Sequence, residues 1–379
     1  MKAVIAIDSL KGSLTSIEAG AAIKCGIHRV FPDAEVFVRP LADGGEGTVE
    51  ALAEGLGGKL KTIEVTGPAG KRVRAVYGIV ENEKLAIMEM SQAAGITQVS
   101  VDERNPLHTT TYGVGEMIAD AIKNGCRNFI IGIGGSATND GGIGMLQALG
   151  FGMLDKDGKN VPFGAMGAEA LVKITTENIL EELEECSFNI ACDVTNPLCG
   201  DLGCSAVYGP QKGATAEMVK DMDKWLASYA KVTKVKFSHA DPNAAGSGAA
   251  GGLGFAFLAY LDGKLQPGIE LILEKTGLEE HIKDADIVVT GEGRLDFQTA
   301  MGKAPIGVAK LAKKYQKPVL AFAGSVTKDA DECNRQGIDA FFPILRRICT
   351  LDEAMEKENA EQNLADTAEQ AFRALKIKI

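Results

Sequence analysis

The chain is expected to fold as an α/β protein of two domains, and three observations carry that expectation. At about 100–200 residues per domain, its 379 residues make two. Short apolar strands alternate with helical periodicity at both ends of the chain, which calls for parallel sheet, whereas the middle opens with a run of strands. The 45 glycines, against 12 prolines, gather in short runs directly after apolar strands, where phosphate-binding turns are found.

Taken in order, Lys2–Asp8 (KAVIAID) is β-branched and apolar and reads as a strand. Ile17, Ala21, Ile23, Ile27 and Val30 supply the apolar positions of a helix over 16–31, with Ser13, Thr15 or Ser16 as its cap. Glu35–Leu41 is a second strand and Gly47–Leu56 a second helix. Lys61–Thr66, Arg72–Val80 and Leu85–Met90 then follow as strands joined by the GPAG and ENEK turns, a pattern of antiparallel hairpins. A helix over Tyr112–Asn124, a strand at Asn128–Gly132 and a helix over Gly141–Leu149 come next. Phe188–Asp193 reads as a strand and Ser205–Tyr208 as another. Ala216–Lys231 is an exposed amphipathic helix carrying Trp225, and the Gly/Ala-rich stretch 246–254 leads into a helix over Phe255–Leu261. Alternation returns with strands at Asp286–Thr290, Pro318–Phe322 and Ala340–Pro343, helices over Ile306–Tyr315 and Asp329–Gly337, and a terminal helix over Leu351–Leu375. The two ends look alike and the middle does not. The expected division is therefore a discontinuous outer domain, residues 1–60 plus 285–379, with 61–284 inserted; a split near residue 150 is the rival.

Composition excludes several classes. A net charge of −11 argues against nucleic acid or an anionic membrane as a general partner. No apolar run approaches the roughly 18 residues of a membrane span. The N-terminus runs straight into a strand without the apolar region of a signal peptide. The 8 cysteines show no C-x-x-C spacing and only 4 histidines accompany them, so a structural zinc site is not expected. Free thiols in a reducing cytoplasm fit this pattern.

The chemistry gathers at strand ends. Gly132–Gly144 (GIGGSATNDGGIG) follows a strand and precedes a helix. Consecutive amides with little side-chain obstruction form an anion nest, to which the helix N-terminus and the side chains of Ser136, Thr138 and Asn139 add donors; the plainer alternative is a tight turn needing glycine. The same run holds a G-x-G-x-x-A string (Gly132, Gly134, Ala137), so a dinucleotide-binding dehydrogenase is a rival, although no acid follows at the end of a second strand. No G-x-x-x-x-G-K-[ST] string occurs. Asp8–Ser13 (DSLKGS) ends the first strand; Lys11 can neutralise a phosphate or carboxylate there, and Ser9 and Ser13 can donate hydrogen bonds. Leu41–Thr48 (LADGGEGT) brings Asp43 and Glu46. Ala191–Gly200 (ACDVTNPLCG) brings Asp193 and Asn196. Thr290–Asp296 (TGEGRLD) alternates Glu292, Arg294 and Asp296, and Arg is suited to a bidentate grip on carboxylate or phosphate. Phosphoryl transfer needs such parts: carboxylates for Mg2+, cations on the transferring group, and a base or orienting group for the hydroxyl. Any one of these acids also reads as a turn or cap residue.

Together these segments resemble the bacterial-type glycerate kinase family (type 1). The matching stretches are DSLKGSLTS (8–16), PLADGGEGT (40–48), GIGGSATNDGG (132–142), ACDVTNPLCG (191–200), YGPQKGA (208–214), GAAGGLG (248–254), PGIE (267–270), VTGEGRLDFQT (289–299) and GKAPIGVA (302–309), in the family's order across nearly the whole chain. The resemblance implies ATP and D-glycerate giving ADP and a phosphoglycerate, with Mg2+ and with the 2-phosphate favoured over the 3-phosphate. It implies two α/β domains, one Rossmann-like with a parallel sheet and one flavodoxin-like with a mixed sheet, and an active site in the cleft between them that closes on substrate. The outer domain is taken as the Rossmann-like one. On this footing the ATP phosphates are expected over Gly134, Gly135, Ser136, Thr138 and Asn139. Asp193, Lys11 and Arg294 are the catalytic candidates: Asp193 as base for the hydroxyl, Lys11 and Arg294 as holders of the glycerate carboxylate or the γ-phosphate. Asp8, Ser9, Asp43 and Glu292 are the further substrate-binding candidates, and Asp193 with Asp296 (or Asp43) the candidate Mg2+ ligands. A kinase of another small hydroxy acid, the dehydrogenase and a non-catalytic ligand sensor remain alternatives. The terminal helix can pack internally or pair with a second copy, which leaves a homodimer open.

Overall fold

The structure, a computed structural model, describes residues 1–42 and 47–377. Asp43 and Glu46 lie outside the described residues. The strands are β1 (Lys2–Ile5), β2 (Glu35–Val38), β3 (Lys59–Thr66), β4 (Arg72–Val80), β5 (Leu85–Glu89), β6 (Asn128–Gly132), β7 (Gly152–Leu154), β8 (Lys173–Thr175), β9 (Ser187–Ala191), β10 (Lys264–Gln266), β11 (Ile287–Leu295), β12 (Val319–Val326) and β13 (Ala340–Pro343). The chain divides into two compact units. The first comprises Met1–Asp43, Glu54–Leu56 and Ile269–Ile379; the second comprises Gly44–Ala53 and Gly57–Gly268. Compared with the expected division, 269–284 group with the outer unit, and 47–53 and 57–60 with the inserted one.

In the first unit five parallel strands run in the order β13-β12-β11-β1-β2. Numbered along this unit alone, that is 2-1-3-4-5, the flavodoxin-like doubly wound order, with its switch point between β1 and β11; the sequence reading had attached the Rossmann-like description to this unit. Helices Ser16–Val30 and Lys357–Lys376 pack over Ala3, Ile5, Ile7, Val289 and Phe322. Burying each such isoleucine contributes about 1.5–3 kcal/mol. Gly26 permits the close approach of these two helices: a Cβ there would lie 2.3 Å from the Ala365 carbonyl oxygen. Of the three candidate caps, Thr15 is the one used. Its hydroxyl accepts from the Glu18 amide while the Glu18 carboxylate accepts from the Thr15 amide, a capping box.

The second unit holds a mixed sheet in the order β10-β9-β6-β5-β4-β3. β3, β4 and β5 pair antiparallel, whereas β5, β6, β9 and β10 run parallel. The register aligns Glu89, Gly132, Ala191 and Gln266 in one row, so four strands end on one edge. Phe129 and Phe188 stack at 4.8 Å in the core beneath it.

Three of the differences from the sequence reading bear on the site and its surroundings. Residues 204–208 are helical, not a strand; the Gly209 amide bonds the Ser205 carbonyl, and the segment packs on the helix Ala216–Lys236. The terminal helix is two helices, Leu351–Met355 and Lys357–Lys376, because Glu356 leaves the helical region (φ −55°, ψ 129°). β11 continues to Leu295 because it stays paired with β12 as far as Leu295↔Val326. Glu292 and Arg294 therefore sit two apart on one strand and share a face of the sheet. No helix among the described residues is long and apolar enough to cross a membrane.

Candidate active site

At the switch point of the first unit lies a cavity of about 410 Å³, within the size range of small-molecule sites (about 300–1,000 Å³). Asp8, Ser9, Lys11 and Ser13 line it from the loop after β1. Glu292, Arg294 and Asp296 line it from the end of β11, with Lys303 and Ser325 beside them. The loop is built locally. Leu10 and Leu14 exchange backbone hydrogen bonds of 2.9 and 3.0 Å, and this pinch leaves Lys11 exposed at the tip. Ser16, fully buried, donates to the Ile7 carbonyl and accepts from the Leu41 amide, fixing where the strand ends.

The acids of this cavity are held in different ways. Asp8 is buried; its Oδ1 accepts from the Ser9 amide (2.7 Å), and its own amide donates to Gly291 on β11. Glu292 Oε1 accepts from the Thr299 hydroxyl (2.5 Å). Asp296 caps the short helix Phe297–Ala300, its Oδ1 accepting from the amides of Gln298 and Thr299. Its Oδ2 lies 3.8 Å from Nε of Arg294, which is mostly exposed. Every one of the expected residues Asp8, Ser9, Lys11, Glu292, Arg294 and Asp296 lines this one cavity. Sequence reasoning gave no role to Lys303, although it lies in the GKAPIGVA stretch, or to the apolar wall of Ile344, Leu345, Leu351 and Met355.

The second unit places the glycine-rich turn and Asp193 on its row of strand ends. Gly134 and Gly135 are exposed, and Ser136 through Asp140 are buried. The turn is braced by Ile96 donating to the Gly135 carbonyl and Ala137 donating to Ala94. The amides of Gly134, Gly135 and Ser136 donate to no acceptor among the described residues. Gly135 is left-handed (φ +72°), so the three amides form a nest. At Gly134 a Cβ would meet nothing within 4 Å; packing does not demand glycine there, whereas a ligand seated on the backbone would.

The other expected donors turn inward. Thr138 and Asn139 are fully buried, and the Asn139 amide donates to Ser205 Oγ (2.9 Å). The N-terminus of helix Ile143–Ala148 is occupied from within the chain. Asp140 accepts from the amides of Gly142 and Gly144, and its Oδ2 also accepts from the Thr111 amide and hydroxyl. Burial still pushes the Asp140 carboxyl above its ordinary range, against the pull of those donors. Asp193 is exposed, and its Oδ1 accepts from the amide of Gly268, at the start of helix Gly268–Lys275. Beneath the turn lies a residue to which the sequence reading gave no role. Lys212 is 2% exposed, and its Nζ donates to Ser136 Oγ (2.7 Å) and to the Thr138 carbonyl (2.6 Å).

The profile of the glycerate kinase family matches residues 3–376. The chain belongs to the glycerate kinase family. It is 47% identical to a glycerate kinase of Haemophilus influenzae over the full length of both chains. It is also 47% identical to a glycerate 2-kinase of Escherichia coli, over 97% of this chain and 98% of that one. A crystal structure of a protein described as glycerate kinase 2 from Salmonella typhimurium superposes with a TM-score of 0.92 at 46% identity, covering 99% of this chain and 98% of the other. Within this member of the family, the DSLKGS and TGEGRLD stretches form the cavity of the first unit. GIGGSATND forms the amide nest of the second, and YGPQKGA supplies the lysine beneath it.

Proposed function

We propose that the protein transfers the γ-phosphoryl group of ATP to a hydroxyl of D-glycerate, giving ADP and 2-phosphoglycerate. The observation that carries this reading is the convergence of Lys11, Arg294 and Lys303 with three carboxylates in one cavity at a topological switch point, in a chain of the glycerate kinase family. The Escherichia coli relative described as a glycerate 2-kinase favours the 2-position.

In this reading Lys11 and Arg294 hold the glycerate carboxylate, Arg294 through its planar fork. Asp8, Ser9 and Glu292 orient the hydroxyls. The amides of Gly134, Gly135 and Ser136 receive the ATP phosphates, an oxyanion-stabilising role that costs no reorganisation because the nest is preformed. Asp193 takes the proton of the attacking hydroxyl. Among the described residues no three His, Cys, Asp or Glu side chains gather into a metal cage. Mg2+ binds through one or two carboxylates plus the nucleotide phosphates. Asp193 and Asp296 are its candidate ligands, carboxylates that the Gly268 amide and the Gln298 amide respectively help to hold in place. When bound, Mg2+ neutralises charge developing on the transferring phosphoryl group. A cytoplasmic location fits substrates of this kind.

Release of ADP from Mg·ATP by the purified protein, with and without D-glycerate, tests the reading. ADP formation that depends on D-glycerate is expected; ADP formation indifferent to it would sink the proposal.

A further inference from the structure

We propose that Lys212 is a positioning residue for the nucleotide: a buried cation that holds the glycine-rich turn from beneath and lends its charge to the anion the turn's amides receive. The inference rests on reading the turn at Gly134–Asn139 as the ATP-phosphate site.

An ammonium group taken out of water costs several kcal/mol unless paired. Both acceptors found for Lys212 Nζ are neutral, the Ser136 hydroxyl and the Thr138 carbonyl, although the group has three protons to donate. No carboxylate among the described residues forms an ion pair with it within 4 Å. The acid belonging to the turn, Asp140, already accepts from four donors. The turn therefore sets an ammonium that no carboxylate contacts on its inner side and unengaged amides on its outer side, an arrangement suited to an anion. The placement is fixed by the chain: Gly213, next to Lys212, has φ +93°, and a Cβ there would lie 2.2 Å from the Arg104 carbonyl oxygen.

Burial brings the Lys212 ammonium down to about 8. The titratable groups acting on it are Cys204 and Asp140, which partly offset that fall; Cys204 is itself pushed up to about 11. Arg104 donates to the neighbouring Gln211 carbonyl. An anion arriving on the amides favours the charged lysine, so binding near pH 8 draws in a proton.

The test is calorimetric titration of Mg·ADP into the intact protein at pH 8, in two buffers of different ionisation heat, with Lys212→Met and Gly134→Ala alongside. Wild type is expected to take up roughly half a proton per site at that pH. Lys212→Met is expected to bind at least about tenfold more weakly and without proton uptake. Gly134→Ala, which blocks the amides from outside, is expected to weaken binding while keeping the uptake. If Gly134→Ala weakens binding and Lys212→Met does not, the proposal for Lys212 falls and the turn remains the phosphate site. If neither changes binding, the reading of the turn falls and takes Lys212 with it. Should Lys212→Met fail to fold, Lys212→Gln takes its place, and unchanged Mg·ADP affinity in that variant overturns the proposal.

Discussion

In the first unit, the groups that reach the cavity beyond the strand ends are side chains: Lys11 and Arg294 exposed, Ser9 and Glu292 half-buried. In the second unit, the groups that reach solvent from the glycine-rich turn are amides, and the side chains of Thr138 and Asn139 face the core. Both sit at the carboxyl ends of parallel strands. The first can read a small anion by charge and geometry. The second can hold a polyphosphate of any nucleoside and leaves base and sugar to other contacts. Under the proposed reading this division suits a kinase for a molecule as small as glycerate, because the acceptor offers few atoms.

Substitutions sharpen the contrast. The largest effect is expected at the residue assigned chemistry. Asp193→Asn should lower kcat by about 10²–10⁴ and leave the melting temperature unchanged, since Asn can still accept from the Gly268 amide; near-normal kcat would remove Asp193 from the mechanism. Arg294→Ala should raise KM for glycerate by roughly 10- to 100-fold with no loss of stability, because the side chain is largely exposed. An unchanged glycerate KM would break the assignment of the first unit to the acceptor.

Asp296 separates structure from chemistry. Asp296→Ala should cost about 1 kcal/mol through the lost cap, measured by denaturant unfolding, whereas Asp296→Asn should keep that stability. If Asp296→Asn also keeps full kcat, the residue is a cap and not an Mg2+ ligand.

The last contrast is in alkaline stability. Burial pushes the thiols of Cys186, Cys204 and Cys333 up to about 11 and that of Cys199 up to about 12, from an ordinary 9.0. Above pH 9 the unfolded chain loses these protons and the folded chain keeps them, so stability should fall as pH rises from 9 towards 12. Lys212, lowered to about 8, acts in the opposite direction between pH 8 and 10.5. Denaturant midpoints at pH 8 and 10.5 should therefore drop in wild type and drop further in Lys212→Met. An equal drop would mean that Lys212 is not held below its ordinary range.

The sequence made legible what depends on residue type and local spacing. Strands such as Arg72–Val80 and Asn128–Gly132 were bounded by their composition and flanking turns. The cavity of the first unit was legible because so many charged residues after apolar strands are harder to explain together as turns and caps than any one of them is alone. The inward turn of Thr138 and Asn139 was not, since a polar side chain beside glycines looks the same whether it meets ligand or Ser205. Lys212 was hidden for a related reason: after Pro210 and Gln211 it reads as an exposed turn residue, and its burial is set by residues 136–138, more than seventy positions earlier. The hairpin of β7 and β8 was missed because three-residue strands carry no readable period. The unit boundary near 269 was missed because helices Gly268–Lys275 and Leu278–Lys283 show no periodicity that marks which sheet they cover.

The division of labour is tested most directly by steady-state kinetics of Lys11→Ala and Gly134→Ala measured side by side, with ATP and D-glycerate each varied. The expected result is that Lys11→Ala raises KM for glycerate by at least about tenfold and leaves that for ATP, while Gly134→Ala does the reverse. Both substitutions raising KM for the same substrate, or neither raising any, would contradict the account.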